Sequence, residues 1–206
     1  MPRRLACIAF LCLVACVSGV VLAGEHELSG SLGLRGGGEM KRREVDGSTG
    51  SLETGAAGGI GYHHGLEPDT WFTAFWSHQQ TELDAQGAFS DDDSFGLEID
   101  YLHAGGVYRP RRDGPVEGFV AFTVGATWYR PDRAGFEDEW GISLAAGGGA
   151  QIDLSPRFDL RLEGRGYVTF TSGEFAGQCT SGQCTFALTG NGAFQLEGLA
   201  GIVCKF

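Results

Sequence analysis

The absences in this chain are informative first. Beyond the opening two dozen residues it has no run of 18 or more apolar side chains, so no later segment reads as a membrane-spanning helix. That excludes helical spans only, because a transmembrane strand needs about 9–11 residues of alternating pattern. Basic charge is in deficit: 15 Lys and Arg stand against 26 Asp and Glu, a balance that disfavours a nucleic-acid partner. Cysteine is sparse. Only Cys179, Cys184 and Cys204 of the six lie beyond residue 23. No His or further Cys stands near the first two to complete a tetrahedral metal set, so neither metal nor cofactor is expected.

The first 23 residues read as a secretory signal peptide. Arg3 and Arg4 precede an uncharged apolar stretch from Leu5 to Leu22, and Val21-Leu22-Ala23 ends it on a small residue. Leu13-Val14-Ala15-Cys16 offers a second, lipoprotein-like cleavage box, although the stretch behind Cys16 stays apolar through Ala23. Removing 23 of 206 residues leaves 183, the span 24–206, and takes two of the 15 basic residues with it, so 13 face 26 acids. That length suits one domain. In an oxidising compartment Cys179 and Cys184, in the polar loop GQCTSGQCT, are expected to close a local disulfide. Cys204 is left over and reads as a small hydrophobe.

What is present is alternation. The closing stretch, FQLEGLAGIVCKF, places Phe194, Leu196, Gly198, Ala200, Ile202, Cys204 and Phe206 on one face of a strand, since successive side chains of a strand point to opposite sides. Seven earlier segments alternate in the same way: 26–36, 52–62, 70–80, around 95–101, 116–128, 140–153 and 158–170. In the third, aromatic on both faces, the preferred register turns Phe72, Ala74 and Trp76 outward. The connections alternate between long (38–51, 81–93, 129–139, 171–190) and short (63–69, 109–115, 154–157). An eight-stranded antiparallel up-and-down transmembrane β-barrel has that rhythm, with short periplasmic turns and longer outer loops. A soluble lipocalin-type barrel shares the strand count but fills its interior with apolar side chains. The aromatic-ended final strand, the Trp and Tyr near strand ends and the unequal loops favour the membrane version.

In this register Arg161, Glu163 and Arg165 share one face of the seventh strand, and Glu98 and Asp100 share one face of the fourth. Facing lipid, such a charge costs about 2–4 kcal/mol at the midplane for Arg. Facing inward, opposite charges can pair. The expected lumen network is therefore Glu98, Asp100, Arg161, Glu163, Arg165 and Glu197, filling a barrel only wide enough for side chains and plugging it.

The run LSPRFDLRLEGRGYVTF (154–170), the Cys179/Cys184 loop and the terminal alternation ending in Phe206 together resemble the small outer-membrane β-barrels of Gram-negative bacteria, the OmpA- and OmpX-like proteins. The resemblance covers the whole chain after the signal. It implies an outer-membrane location, a monomer, contact with outer-membrane lipid and lipopolysaccharide, and a terminal Phe206 read by the barrel-assembly machinery. Cys204 and two small residues make this terminal signal weaker than a Tyr- or Phe-rich one. The resemblance implies no particular activity, because small barrels host several.

Four further constellations carry alternatives. His63 and His64 are adjacent, so they diverge in a strand, and they fall in an expected solvated turn. Ser77 and His78 raise a lipid-modifying enzyme as a second reading, but adjacent side chains diverge here too and no matching short motif accompanies them. Asp91-Asp92-Asp93 and Lys41-Arg42-Arg43 sit in outer loops; the acidic run lacks the spaced ligands and glycine of a calcium loop. No catalytic residue is therefore expected. The chain reads as a non-enzymatic barrel acting through its outer loops, with a narrow channel as a further alternative.

Overall fold

Strands form wherever an apolar or small residue recurs at every second position. They are β1 (His26–Gly36), β2 (Gly55–Glu67), β3 (Thr70–Asp84), β4 (Ser94–Tyr108), β5 (Val116–Pro131), β6 (Glu139–Asp153), β7 (Phe158–Phe170) and β8 (Ala193–Lys205). The computed structural model describes residues 25–41, 49–84, 94–110, 114–132, 138–170, 178–180, 183–185 and 193–206. Each strand pairs antiparallel with its chain neighbours. β8 then closes on β1 in a continuous register from Glu27↔Lys205 to Gly36↔Leu196. The result is a closed eight-stranded barrel. Closure leaves no unpaired sheet edge, the condition a β-structure must meet to sit in hydrocarbon.

The short connections are turns. β2 and β3 are joined by Pro68 and Asp69 alone. Between β6 and β7 the Ser155 hydroxyl accepts a bond from the Phe158 N–H at 3.1 Å, and the N–H groups of Leu154 and Ser155 donate to the Phe158 carbonyl. The long connections at the other end hold more pairing than the alternation suggests. Glu39–Lys41 pairs with Thr49–Leu52, which continues onto β3. Gln178–Thr180 pairs with Gln183–Thr185 and sets Cys179 directly opposite Cys184, the placement a cross-strand disulfide requires. Cys204 is disulfide-bonded, not free.

The two wall faces separate by polarity. Outward stand Leu32, Leu34, Val120, Phe122, Val124, Ile142, Leu144, Leu162, Leu196 and Ile202, with Phe122 71 % and Leu32 69 % exposed. Water would not tolerate such a continuous apolar belt; lipid requires it. Trp76, Trp128 and Trp140 bound the belt toward the long connections, and Tyr62, Tyr108, Phe158 and Phe206 bound it toward the short turns, as interfacial aromatics do. In β3, Phe72, Ala74 and Trp76 face outward, while Trp71 and Phe75 are buried inside.

Narrowness also shapes the inner wall. A Cβ added at inward Gly33 would collide with the carbonyl oxygen of Gly198, and one at Gly149 with that of Leu162. These glycines let neighbouring backbones come close in a tightly coiled wall.

Two further expectations are corrected. The His63–His64 pair does not lie in a turn: both belong to β2, which runs on to Glu67. The more instructive case is β4. Phe95, Leu97, Ile99 and Tyr101 point inward and are buried, so Glu98 and Asp100 lie on the outer wall, outside the lumen network. The reason is height. Asp100 is level with His78 and Trp128, at the tryptophan belt, and Glu98 is above it. Beyond that belt the surroundings are headgroups and water, so the wall reverts to the soluble rule of apolar in and polar out. Its interior there is a packed cluster of Leu52, Leu83, Phe95, Leu97, Ile99, Tyr101 and Tyr129.

The same height argument gives a paired test. Phe122→Arg, mid-belt, should cost about 2–4 kcal/mol of folding stability in bilayers. Gln80→Arg, above the belt beside Glu98, should change stability by less than about 0.5 kcal/mol. Urea titrations in lipid vesicles measure both; equal costs would show that the belt is misplaced.

Candidate functional site

The inward positions of the lower two-thirds of the barrel are predominantly polar, and nearly all are partnered. Near the turns, Arg109 donates two bonds to the Glu27 carboxylate, at 3.0 and 3.1 Å, and its guanidinium lies over the Trp71 ring at 3.7 Å. Gln151 bridges upward and sideways: its amide nitrogen donates to Asp159 at 2.7 Å, and its oxygen accepts from Arg161 at 3.3 Å. Lys205 spans Asp159 at 2.7 Å and Asp153 at 3.1 Å at the rim.

One level up, Glu163 accepts from Arg161 at 2.9 Å and from Arg165 at 2.6 Å. The two guanidinium groups also cover Phe119 and Phe75 at 3.7 and 3.8 Å. Inward His63 sits between the hydroxyls of Ser29 and Thr73, both at 3.0 Å. His64, on the opposite face, stacks on His26 at 4.6 Å.

The centre belongs to Glu197. Its Oε1 accepts from Arg35 Nε at 3.1 Å and from the Ser77 hydroxyl at 3.0 Å, and its Oε2 from the Tyr167 hydroxyl at 2.6 Å. Arg165 stands 3.9 Å away. Arg35 also donates to Ser77 and lies over the rings of Tyr101 and Tyr167, at 4.7 and 5.1 Å. Above it Tyr101 donates to Gln195 at 2.7 Å, and Gln79 donates to the Arg35 carbonyl at 2.8 Å. Arg35, Tyr101, Tyr167, Gln79 and Gln195 are all less than 2 % exposed. A charge this deep is held because it is paired and hydrogen-bonded, through Arg35 Nε and Nη2, while Arg35 Nη1 is buried without a hydrogen-bond partner.

Of the six charges proposed from sequence, the structure brings four together: Arg161, Glu163, Arg165 and Glu197. It sends two elsewhere. On the outer wall Asp100 accepts from Trp76 Nε1 at 2.9 Å, contacts His78 at 3.0 Å and pairs with Arg130; Glu98 accepts from Gln80 at 3.3 Å. Arg35, the principal partner of Glu197, was missed. Its signal was available, because setting Leu28, Leu32 and Leu34 outward puts Arg35 inside. Ser77 and His78 do not meet: Ser77 is locked in the lumen by Arg35 and Glu197, and His78 faces outward beside Asp100. The acidic run Asp91 to Asp93 and the basic triplet at 41–43 fall outside the residues whose side chains are described. Phe206 ends the chain at the turn side, stacked on His26 at 5.9 Å, with its N–H donating to the His26 carbonyl at 3.0 Å.

A closed antiparallel eight-stranded barrel with an apolar belt outside and a paired, filled lumen is a small transmembrane β-barrel of the outer-membrane type. No protein-family model and no curated protein matches the chain. Solved structures do. Outer membrane protein OprG from Pseudomonas aeruginosa aligns with a TM-score of 0.60 at 10 % identity, over 89 % of this chain and 96 % of that one. Neisserial surface protein A (NspA) aligns with a TM-score of 0.56 at 16 % identity, over 89 % and 98 %. The N-terminal β-barrel domain of Pseudomonas aeruginosa OprF gives 0.50 at 11 % identity, over 89 % and 98 %. At such identities the likeness is one of fold. That fold and the lipid-facing belt assign the chain to the outer membrane.

The central cluster predicts its own weak point. Glu197→Ala leaves Arg35 buried without its carboxylate and should destabilise the barrel by about 3–5 kcal/mol. The heat-modifiable band shift of the purified protein should then disappear at a clearly lower temperature. Glu98→Ala, on the outer wall, should leave that temperature unchanged.

Proposed function

We propose that the protein is a non-enzymatic, non-conducting barrel whose work is done at the cell surface by its long connections. The observation that supports this reading is the filled lumen. The Arg35–Glu197–Tyr167–Tyr101 layer is packed side chain against side chain, and the apolar cluster above it is equally buried. A pore of that description offers no open water path, and a barrel of this size is just wide enough to be filled. In this reading the wall supplies anchorage in lipid and lipopolysaccharide, Phe206 is the element read by the barrel-assembly machinery, and the molecule works as a monomer. The Cys179–Cys184 disulfide would then brace the last long connection.

The channel reading is tested directly. In planar bilayers the wild-type barrel should give no discrete conductance, whereas removing the plug through the double substitution Arg35→Ala and Glu197→Ala should produce steps wherever the variant remains folded. Steady wild-type conductance would overturn the plug. The enzyme reading has a separate test: lipopolysaccharide incubated with the protein should keep its acyl chains unchanged by mass spectrometry. Reduction of the protein should not alter its heat-modifiable migration, but should make the 171–190 connection easier to cleave with a protease.

A further inference from the structure

The central layer of the lumen is unevenly charged. Arg35, Arg161 and Arg165 are buried there against Glu163 and Glu197, with side-chain exposures between 0 and 11 %. Three guanidinium groups thus face two carboxylates, an excess of one positive charge in a place where desolvated charges need partners. The layer beneath does not supply the difference. Glu27 and Asp159 are matched by Arg109 and Lys205, and the remaining acids there, Glu117 and Asp153, are partly open to water.

Beside two of these guanidinium groups lies a cavity of about 10 Å³, room for one small occupant. Arg161, Arg165, Glu163, Thr73, Thr123 and Phe75 are among the residues around it. Glu163 is already shared: its Oε2 accepts from Arg161 Nε and Arg165 Nη2, and its Oε1 from Arg165 Nε. Each guanidinium keeps a nitrogen outside those bonds. Arg161 spends Nη1 on Gln151, which leaves Nη2, and Arg165 Nη1 stands 3.9 Å from Glu197. A third donor is set by a chain of hydrogen bonds. Thr127 donates to Ser143 at 2.8 Å, so Ser143 can turn its own proton to His103 Nε2 at 2.7 Å. The ring proton of the neutral imidazole then sits on Nδ1 and is donated to the Thr123 oxygen at 3.0 Å. That leaves the Thr123 proton for a further acceptor at the edge of the cavity.

We propose that this cavity binds a small monovalent anion, a halide such as chloride, between Arg161, Arg165 and the Thr123 hydroxyl. One negative charge matches the excess of one. A water molecule would meet the same donors but leave that charge unbalanced. A halide held there occupies the lumen rather than passing through it, so the site is independent of the role proposed above for the long connections.

The direct test is anomalous diffraction at the bromine edge from crystals of the purified barrel grown with bromide in place of chloride. One bromide peak inside the lumen, in contact with Arg161 and Arg165, is expected. No anomalous peak at that position would overturn the proposal. In solution, the temperature of the heat-modifiable band shift should rise and saturate with chloride, as binding to the folded state requires, and should stay flat in gluconate of equal ionic strength. Thr123→Val removes one donor and no charge. It should raise the half-saturating chloride concentration by roughly tenfold, the scale of a hydrogen bond to a charged group. Arg161→Gln, which removes the excess charge, should abolish the chloride response, and Thr123→Val decides if that variant does not fold. Equal stability of the wild type in chloride and gluconate would sink the proposal, as would an unchanged chloride response in Thr123→Val.

Discussion

The hydrogen-bonded seam between β1 and β8 is the constraint on which the rest of this molecule depends. Hydrocarbon offers no partner to a free N–H or C=O, so a sheet that enters it must close on itself. Once eight strands close, the enclosed space is too narrow to remain open. An inward charge below the rim is then desolvated, and desolvated charges persist only in pairs. Arg35 with Glu197, Arg161 and Arg165 with Glu163, and Arg109 with Glu27 all follow from that closure.

The same seam explains why the chain's two ends matter together. His26 and Phe206 exchange backbone bonds and stack their rings, so the terminal aromatic that borders the lipid belt also completes the wall. Inside the same pair of strands, Arg35 of β1 meets Glu197 of β8 through side chains as well as register. Backbone closure and lumen pairing thus reinforce each other at one seam.

The barrel follows two polarity rules at two heights. Within the hydrocarbon the wall is apolar outside and polar inside. Above the tryptophan belt the order reverses, with Asp100, Arg130, His78 and Glu98 on the outer wall and Ile99, Tyr101, Leu83 and Tyr129 packed within. A single strand, β4, obeys both. Its lower outward residues include Leu102 and Tyr108, its upper ones Glu98 and Asp100. The polar plug and the apolar cluster above it are therefore two segments of one filled interior, each matched to what surrounds the wall at its level.

Strand count, the inside and outside of β1, β3 and β5 to β8, and the inward set Arg161, Glu163, Arg165 and Glu197 were legible from a period of two and the spacing of turns. Sequence alone determined these because alternation is local and a one-residue slip would put charge into lipid. It could not determine β4, because alternation says which residues share a face but not which solvent that face meets. Nor could it choose the partner of Glu197: Arg35 and Glu197 lie 162 positions apart and meet only when the last strand closes on the first. Pairing across the lumen, the height of the membrane belt and the cavity within the plug are properties of closure, and only the tertiary structure decides them.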